Sequence, residues 1–371
     1  MKFIKIPAFA IVLLLLMQIV SKVFIAIDSS DIENIYGFYA EPKNSLDMVM
    51  IGPSEVYTGY APALAWEEYG LKSCNLSIGA VPCNMYKSIV TEIVKRQKPK
   101  LLIINAAAFS HGNWNLTDEV FLRKWIDNIP MSQNKLDTVK TIPKNINKDD
   151  EKVKDNISDT LYFPLEKYHG NWKDPDAVYT SFVTRTYMRL SGGGYLKGFF
   201  SKTGITGGRD NLANIGQPTK EAYVLTDECR AYLKELLSYC NKLGVEHVLL
   251  LQPPHETQAA DKSGLEQIES ITKEYGYDFL DLSTDYESIV GIDDSHDFAD
   301  FEHLNAYGAQ KLSSYIGNMA VNQYGIKSDT AKSELSRWKK SVKRTKKALK
   351  MAREYTDRGE AQVVGEYEAA K

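Results

Sequence analysis

Apolar and polar positions fall into three kinds of run along the chain, and each predicts a different element. From Ile6 to Val20 the chain is almost wholly apolar, interrupted only by Gln18, and after Ser21 and Lys22 the apolar character resumes through Ile27. A helix of that extent would be about 33 Å long at ~1.5 Å per residue, enough to span the hydrocarbon core of a bilayer. Short apolar runs at Leu46–Gly52, Lys100–Asn105 and His247–Gln252 predict buried strands, Tyr277–Leu282 a further strand, and Ser73–Gly79 a short strand or strand-like loop. Helical periodicity predicts helices at Asn84–Gln97, where Met85, Ile89 and Ile93 share a face and Pro99 ends the pattern, and at Thr226–Leu243, Ser263–Tyr275 and Asn305–Tyr324. Strands alternating with helices imply an α/β fold: a three-layer α/β/α sandwich around a parallel sheet.

Between Asn113 and Pro218 this rhythm fails. The segment is rich in Asn, Lys, Asp, Trp, Tyr and Gly, and includes the charged run Lys148–Asp155. More than a hundred residues cannot be one loop, so residues of about 113–218 read as an insertion folded over the C-terminal ends of the strands. The Gly-rich piece Ser191–Gly194 lacks a following Lys-Ser/Thr and is not a phosphate loop. Residues 326–371 change character again. Trp338, Val342, Thr345, Leu349 and Ala352 recur at helical spacing among lysines and arginines, a basic amphipathic helix, and Gly359–Lys371 reads as a frayed end.

Charge and cysteine usage narrow the classes. A formal charge of -3 does not suit general nucleic-acid binding. Four cysteines without a Cys-x-x-Cys pair do not suit structural zinc, and buried free thiols are the reading for all four. Lys2 and Lys5 precede the first apolar run and no small-x-small cleavage pattern follows it, so residues 1–28 read as an uncleaved single-pass signal anchor. Retention of those lysines inside places residues 29–325 on the outer side of the cell membrane. Lys22 would snorkel toward the far interface.

The candidate chemistry lies at the two ends of the α/β region. Asp300 and His303 are three positions apart in Asp297–Gly308, and a carboxylate there can accept the imidazole Nδ1 proton and leave Nε2 as a base. Ser54 follows the first strand after Gly52-Pro53 and opens a helix, where ligands bind in open α/β sheets. Each has a plainer reading: Ser54 as a helix N-cap, Asp300 and His303 as a surface turn, His169 as a structural histidine. His296, Asp297, Asp300 and His303 do not make a fixed set of four inner-shell ligands, so no metal site is read here.

A serine nucleophile first and Asp-x-x-His last is the order of the SGNH/GDSL hydrolase superfamily, which the chain resembles from about Asp47 to Tyr324. The likeness is most specific in Asp-x-x-Asp-x-x-His-Leu-Asn-x-x-Gly at Asp297–Gly308. That pattern, with Phe-Pro-Leu and Tyr-His-x-x-Trp in Leu161–Trp172, is similar to the membrane-anchored, extracytoplasmic branch that includes lipoteichoic-acid D-alanylation and alginate O-acetylation proteins. The resemblance implies a flavodoxin-like sandwich, with Ser54 as nucleophile, His303 as general base and Asp300 as its orienting partner. It also implies an oxyanion donor at Gly79 or the amide of Ala80. Gly-Pro-Ser replaces Gly-Asp-Ser, and the third block's Gly-x-Asn-Asp is missing. Asn105, about three positions early, is then the candidate amide donor, and His169 a substrate-binding residue at the rim.

The expected function is therefore acyl transfer, O-acetyl or similar, through an acyl-Ser54 intermediate to a cell-surface glycopolymer such as a polysaccharide or teichoic-acid-like chain. It calls for no cofactor, and the resemblance suggests a membrane-bound O-acyltransferase as partner. Two rivals share the same residues: a carboxyl-ester hydrolase removing acetyl groups, and a non-catalytic scaffold that kept the fold.

Overall fold

The computed structural model describes residues 2–26, 28–113, 115–142, 157–206, 223–255 and 261–370. Strands β1 (Met48–Gly52), β2 (Ser73–Ser77), β3 (Leu101–Asn105), β5 (His247–Gln252) and β6 (Asp278–Asp281) form a parallel sheet in the order β2-β1-β3-β5-β6. Two further short strands, β4 (Ser201–Lys202) and β7 (Val363–Val364), pair antiparallel away from it. The chain leaves β1 for one neighbour, β2, and returns on its other side as β3. That reversal opens a crevice at the C-terminal end of β1, where Ser54 stands.

Successive strand residues point to opposite faces, and here both faces are apolar. Val49, Ile51, Leu76, Leu102, Ile104, Val248 and Leu250 join one core. Helices α2 (Ser29–Ala40), α5 (Tyr86–Arg96) and α7 (Glu119–Ile126) contribute to that core, as do α12 (Asp227–Leu243) and α13 (Ser263–Glu274). Met48, Met50, Leu101, Ile103, Leu249 and Leu251 pack on the other face. There they meet α3 (Ser54–Gly59), α4 (Pro62–Tyr69), α14 (Tyr286–Val290) and α15 (Ala306–Asn322). This is an α/β fold, its parallel sheet flanked by helices on both sides.

The described residues of the stretch read as an insertion do not all lie over the strand ends. Helix α8 (Gln133–Thr141) packs on α5, where Asn134 bonds Glu92 at 3.0 Å, and Trp125 of α7 bonds Ser88 at 2.9 Å. Helices α9 (Ile157–Tyr162), α10 (Leu165–Tyr168) and α11 (Pro175–Leu190) build outward against α1 (Lys2–Phe24) and α2. Among the described residues only the two ends reach the sheet's C-terminal edge: Asn115 with its neighbour α6 (Ala107–Ser110), and the stretch containing β4. The charged run Lys148–Asp155 and positions 207–218 lie outside the described residues.

Helix α1 covers most of the first apolar run. Phe9, Val12, Leu13, Leu16 and Ile19 are exposed on it. Among the described residues no helix is long and apolar enough to cross a membrane. Lys22 does not extend along the helix as a snorkelling residue would. It donates to the carbonyls of Asp127 at 2.6 Å and Ile129 at 3.2 Å.

Helix α16 (Lys332–Asp357) buries Trp338, Val342, Thr345, Leu349 and Ala352, and Trp338 stacks on Trp66 with ring centroids 5.6 Å apart. The tail beyond it is not frayed. β7 pairs with β4, and α17 (Glu366–Ala370) begins at a buried Glu366 whose carboxylate accepts the amides of Tyr195 and Leu196 at 2.8 and 2.7 Å. Those bonds tie the C-terminus to the segment leading into β4.

Candidate active site

Ser54 and His303 come from opposite ends of the chain and meet at the C-terminal edge of the sheet. Ser54 Oγ lies 2.7 Å from His303 Nε2, and His303 Nδ1 lies 2.7 Å from Asp300 Oδ1. The same Asp300 oxygen accepts the backbone amides of Glu302 and His303 at 3.0 and 2.9 Å, so the carboxylate is fixed before the imidazole reaches it. Burial alone would push the Asp300 carboxyl up. The hydrogen bond and charge of His303, with the charge of Lys202, outweigh burial and hold it well below the usual carboxylate range.

The loop that presents Asp300 and His303 is built by its own motif. Buried Asp297 accepts the amide of Asp293 at 2.7 Å and the ammonium of Lys311 at 2.6 Å. Asn305 caps α15 through the amides of Tyr307 and Gly308, at 2.9 and 3.3 Å, and its side-chain amide donates to the His296 carbonyl at 2.7 Å. A Cβ at Gly308 would stand 2.5 Å from the Asp297 carbonyl oxygen, so only glycine lets the first turn of α15 close on the loop. The Asp, Asn and Gly of the motif are therefore scaffolding, and Asp300 and His303 are what it displays.

Ser54 stands between two openings. One, of about 410 Å³, is lined by Tyr57, Phe200, Lys202, His303 and Glu368. The other, of about 210 Å³, is lined by Ala80, Ala107, His111, Asn115 and Glu302. A larger groove of about 1400 Å³ runs between α15 and α16 and is not lined by Ser54.

Of the candidate oxyanion donors only Ala80 lines the smaller opening, and the set differs from the expected one. The Gly79 amide is committed to Asp31 Oδ1 at 2.7 Å, which removes it as a free donor. Ala80 adopts a left-handed backbone (φ 55°), and its carbonyl accepts Asn115 Nδ2 at 3.0 Å. Among the described residues its amide makes no hydrogen bond. Asn105 is buried over Gly52. Its Oδ1 accepts the Ala107 amide at 2.7 Å, while its Nδ2 has no partner among the described residues. A buried donor left without a partner is costly, which suits one held for an incoming oxygen.

His169 does not join this group. It is exposed, bonds the Glu166 carbonyl at 2.6 Å and lies in a hollow with Met17 and Phe163, so the expected place at the rim of the serine site is incorrect. Three other side chains do join it. Lys202 bonds Asp300 Oδ2 and stands 3.1 Å from His303 Nδ1. Glu55, half-buried, accepts from Ser54 Oγ at 3.5 Å, and burial pushes its carboxyl up while the charge of His303 works against that. His255 packs edge-on to Phe301 at 5.8 Å; burial, with the neighbouring charges of His111 and His303, pushes its imidazole down to about 3.

Among the described residues no group of three or more His, Cys, Asp or Glu is arranged to hold a metal ion. Chemically, the arrangement pairs a hydroxyl with a base oriented by a fixed carboxylate. No protein-family model, no curated protein and no solved structure matches the chain.

Proposed function

We propose that the chain is an SGNH-type serine enzyme of the cell envelope that transfers an acyl group through an acyl-Ser54 intermediate to a sugar hydroxyl of a surface glycopolymer. The observation that carries the reading is the Ser54–His303–Asp300 relay, with both contacts at 2.7 Å. His303 Nε2 takes the Ser54 proton as Oγ bonds the acyl carbon, and the imidazolium returns that proton to the leaving oxygen. Asp300 orients the ring and stabilises its charged form. Ala80 N–H and Asn105 Nδ2 are the donors offered to the tetrahedral oxyanion.

Ser54 facing two openings supports a division of labour. The smaller one, with Ala80, Ala107 and Ala108 in its wall, receives a short acyl group, and the larger one, with Lys202 and Glu368 in its wall, receives the alcohol. The apolar run Ile6–Val20, with exposed Phe9, Leu13 and Leu16, supports a membrane-held N-terminus and an outward-facing catalytic domain, next to a membrane-bound O-acyltransferase. Attachment would raise the effective concentration of a membrane-borne acyl donor.

Turnover of p-nitrophenyl acetate by the purified protein, with and without a saccharide acceptor, tests the transfer step. Acetylated saccharide formed at the expense of free acetate is the expected result. Rapid release of acetate that acceptor does not divert would assign an esterase instead.

A further inference from the structure

Lys202 occupies an unusual place: its ammonium stands inside the Asp300–His303 pair, and the fold brings it there from two directions. Its backbone pairs with Val363 in the β4–β7 ladder and bridges to Asn305, the cap of α15. The next residues are clasped by the C-terminal tail, with the Gln362 amide donating to Thr203 Oγ1 at 2.6 Å and the Gly204 amide to Thr356 Oγ1 at 3.0 Å. The side chain is only 28% exposed, and its Nζ bonds one oxygen of Asp300 while His303 Nδ1 uses the other.

A carboxylate beside an imidazole stabilises the imidazolium and typically raises its pKa by about one to three units; a cation at the same distance opposes that effect. The other charged or titratable groups facing His303 are Glu55 from α3, Glu302 from its own loop and His255 from the segment after β5. Asp28 at the start of α2, Tyr57 of α3 and Glu368 of α17 line the larger opening that His303 also faces. Of all these, only Asp300 and Lys202 come within hydrogen-bond distance of a ring nitrogen. Those two are therefore the charged groups placed to act directly on the ring.

We propose that Lys202 is a positioning residue for the Asp300–His303 pair. By sharing the carboxylate it keeps the imidazole neutral, with the proton on Nδ1 and the lone pair on Nε2, at pH values where an aspartate–histidine pair alone would hold imidazolium. The proposal rests on the reading of His303 as the base for Ser54. In the acylation step the Ser54 O–H bond breaks, its proton passes to Nε2 and the Oγ electron pair bonds the acyl carbon. The bond from the acyl carbon to the leaving oxygen then breaks, and that oxygen takes the proton back from Nε2. Lys202 makes the imidazolium a stronger acid for this return, and leaves a larger fraction of the enzyme ready to start at mildly acidic pH.

The test is an NMR titration of the His303 imidazole in the full chain, with the signal assigned by loss in His303→Gln. Lys202→Met is expected to raise the midpoint by about one unit or more, and Lys202→Arg to leave it near wild type. The acid limb of kcat/KM for an activated ester should move up with it, a change that a merely structural role would not produce in a variant of unchanged melting temperature. If Lys202→Met melts too low to measure, Lys202→Gln carries the same expectation. A midpoint that stays in place or falls on loss of the charge overturns the proposal. The outcomes separate from those for the catalytic reading: a shifted midpoint in a protein that never acylates Ser54 removes the acyl chemistry, and acylation with a stationary midpoint removes Lys202 alone.

Discussion

The side chain of Asn105 lies directly over Gly52, so closely that a Cβ at Gly52 would stand 2.4 Å from Asn105 Cβ and 2.7 Å from Val56 Cγ2. Glycine at the end of β1 thus lets the chain turn toward Ser54 beneath the buried amide of β3. Gly52→Ala forces that contact apart and should cost at least the ~1–3 kcal/mol of an overpacked core. Urea unfolding checks it: the midpoint should fall with the slope unchanged.

Asn105 has two roles that substitution can separate. Its Oδ1 holds the Ala107 amide at 2.7 Å, whereas its Nδ2 has no partner among the described residues. Asn105→Asp keeps the acceptor and removes the donor. Loss of one oxyanion donor typically lowers kcat by about 10²- to 10³-fold, and that fall with little change in KM is the expected outcome. A near-normal rate in Asn105→Asp would leave only the structural role.

The Asp300 carboxylate is expected to matter to rate far more than to fold. Asp300→Asn retains an acceptor for the amides of Glu302 and His303 but loses the charge that orients and supports the imidazolium. By analogy with serine triads the loss in kcat should be about 10⁴-fold. Steady-state kinetics with an activated ester, beside a thermal melt that shifts little, would measure both halves.

His255 gives the fold an acid-sensitive point. Its imidazole is pushed from 6.5 down to about 3 by burial and by the neighbouring His111 and His303. Between those values the unfolded chain binds a proton that the folded chain does not, so stability rises with pH through this window and is lost as pH falls through it. Denaturant midpoints measured from pH 7 to pH 4 should decline, and His255→Gln should flatten the decline. A decline of equal steepness in the variant would assign the acid sensitivity to other groups.

Membrane attachment has a direct readout. If residues 1–28 anchor the protein, the full chain will stay with the membrane pellet through an alkaline carbonate wash. Release into the supernatant would mean that α1 lies on the protein, where Gln18 and Lys22 already bond Tyr162 and Asp127.

How much of this was legible in the sequence follows from the range of the forces involved. Local patterns carried the elements: β1, β3 and β5 are runs of mainly apolar residues buried on both faces, and His247–Gln252 matches to the residue, whereas β6 is an edge strand without a fully buried residue. The Asp297–Gly308 motif was legible because its parts bond one another within a few positions. Lys202 was not, because β4 is two residues long and its partner β7 lies at the other end of the chain, so no periodicity marks either. The same holds for Gly79, whose amide is taken by Asp31 from a helix that precedes β1. His169 was misplaced because the resemblance carried it to the rim, whereas its segment packs against α1. The tail read as frayed because the bonds that order it, from Glu366 to Tyr195 and Leu196, span the whole insertion boundary.

The central claim is that the Ser54 hydroxyl, 2.7 Å from His303 Nε2, forms a covalent acyl intermediate. Intact-mass spectrometry of the full chain after brief exposure to an activated acetyl ester measures this directly, with peptide mapping to locate the label. A single added acetyl group on Ser54, absent from Ser54→Ala and strongly reduced in His303→Ala, is the predicted result. Wild type that takes up no more label than Ser54→Ala would contradict it.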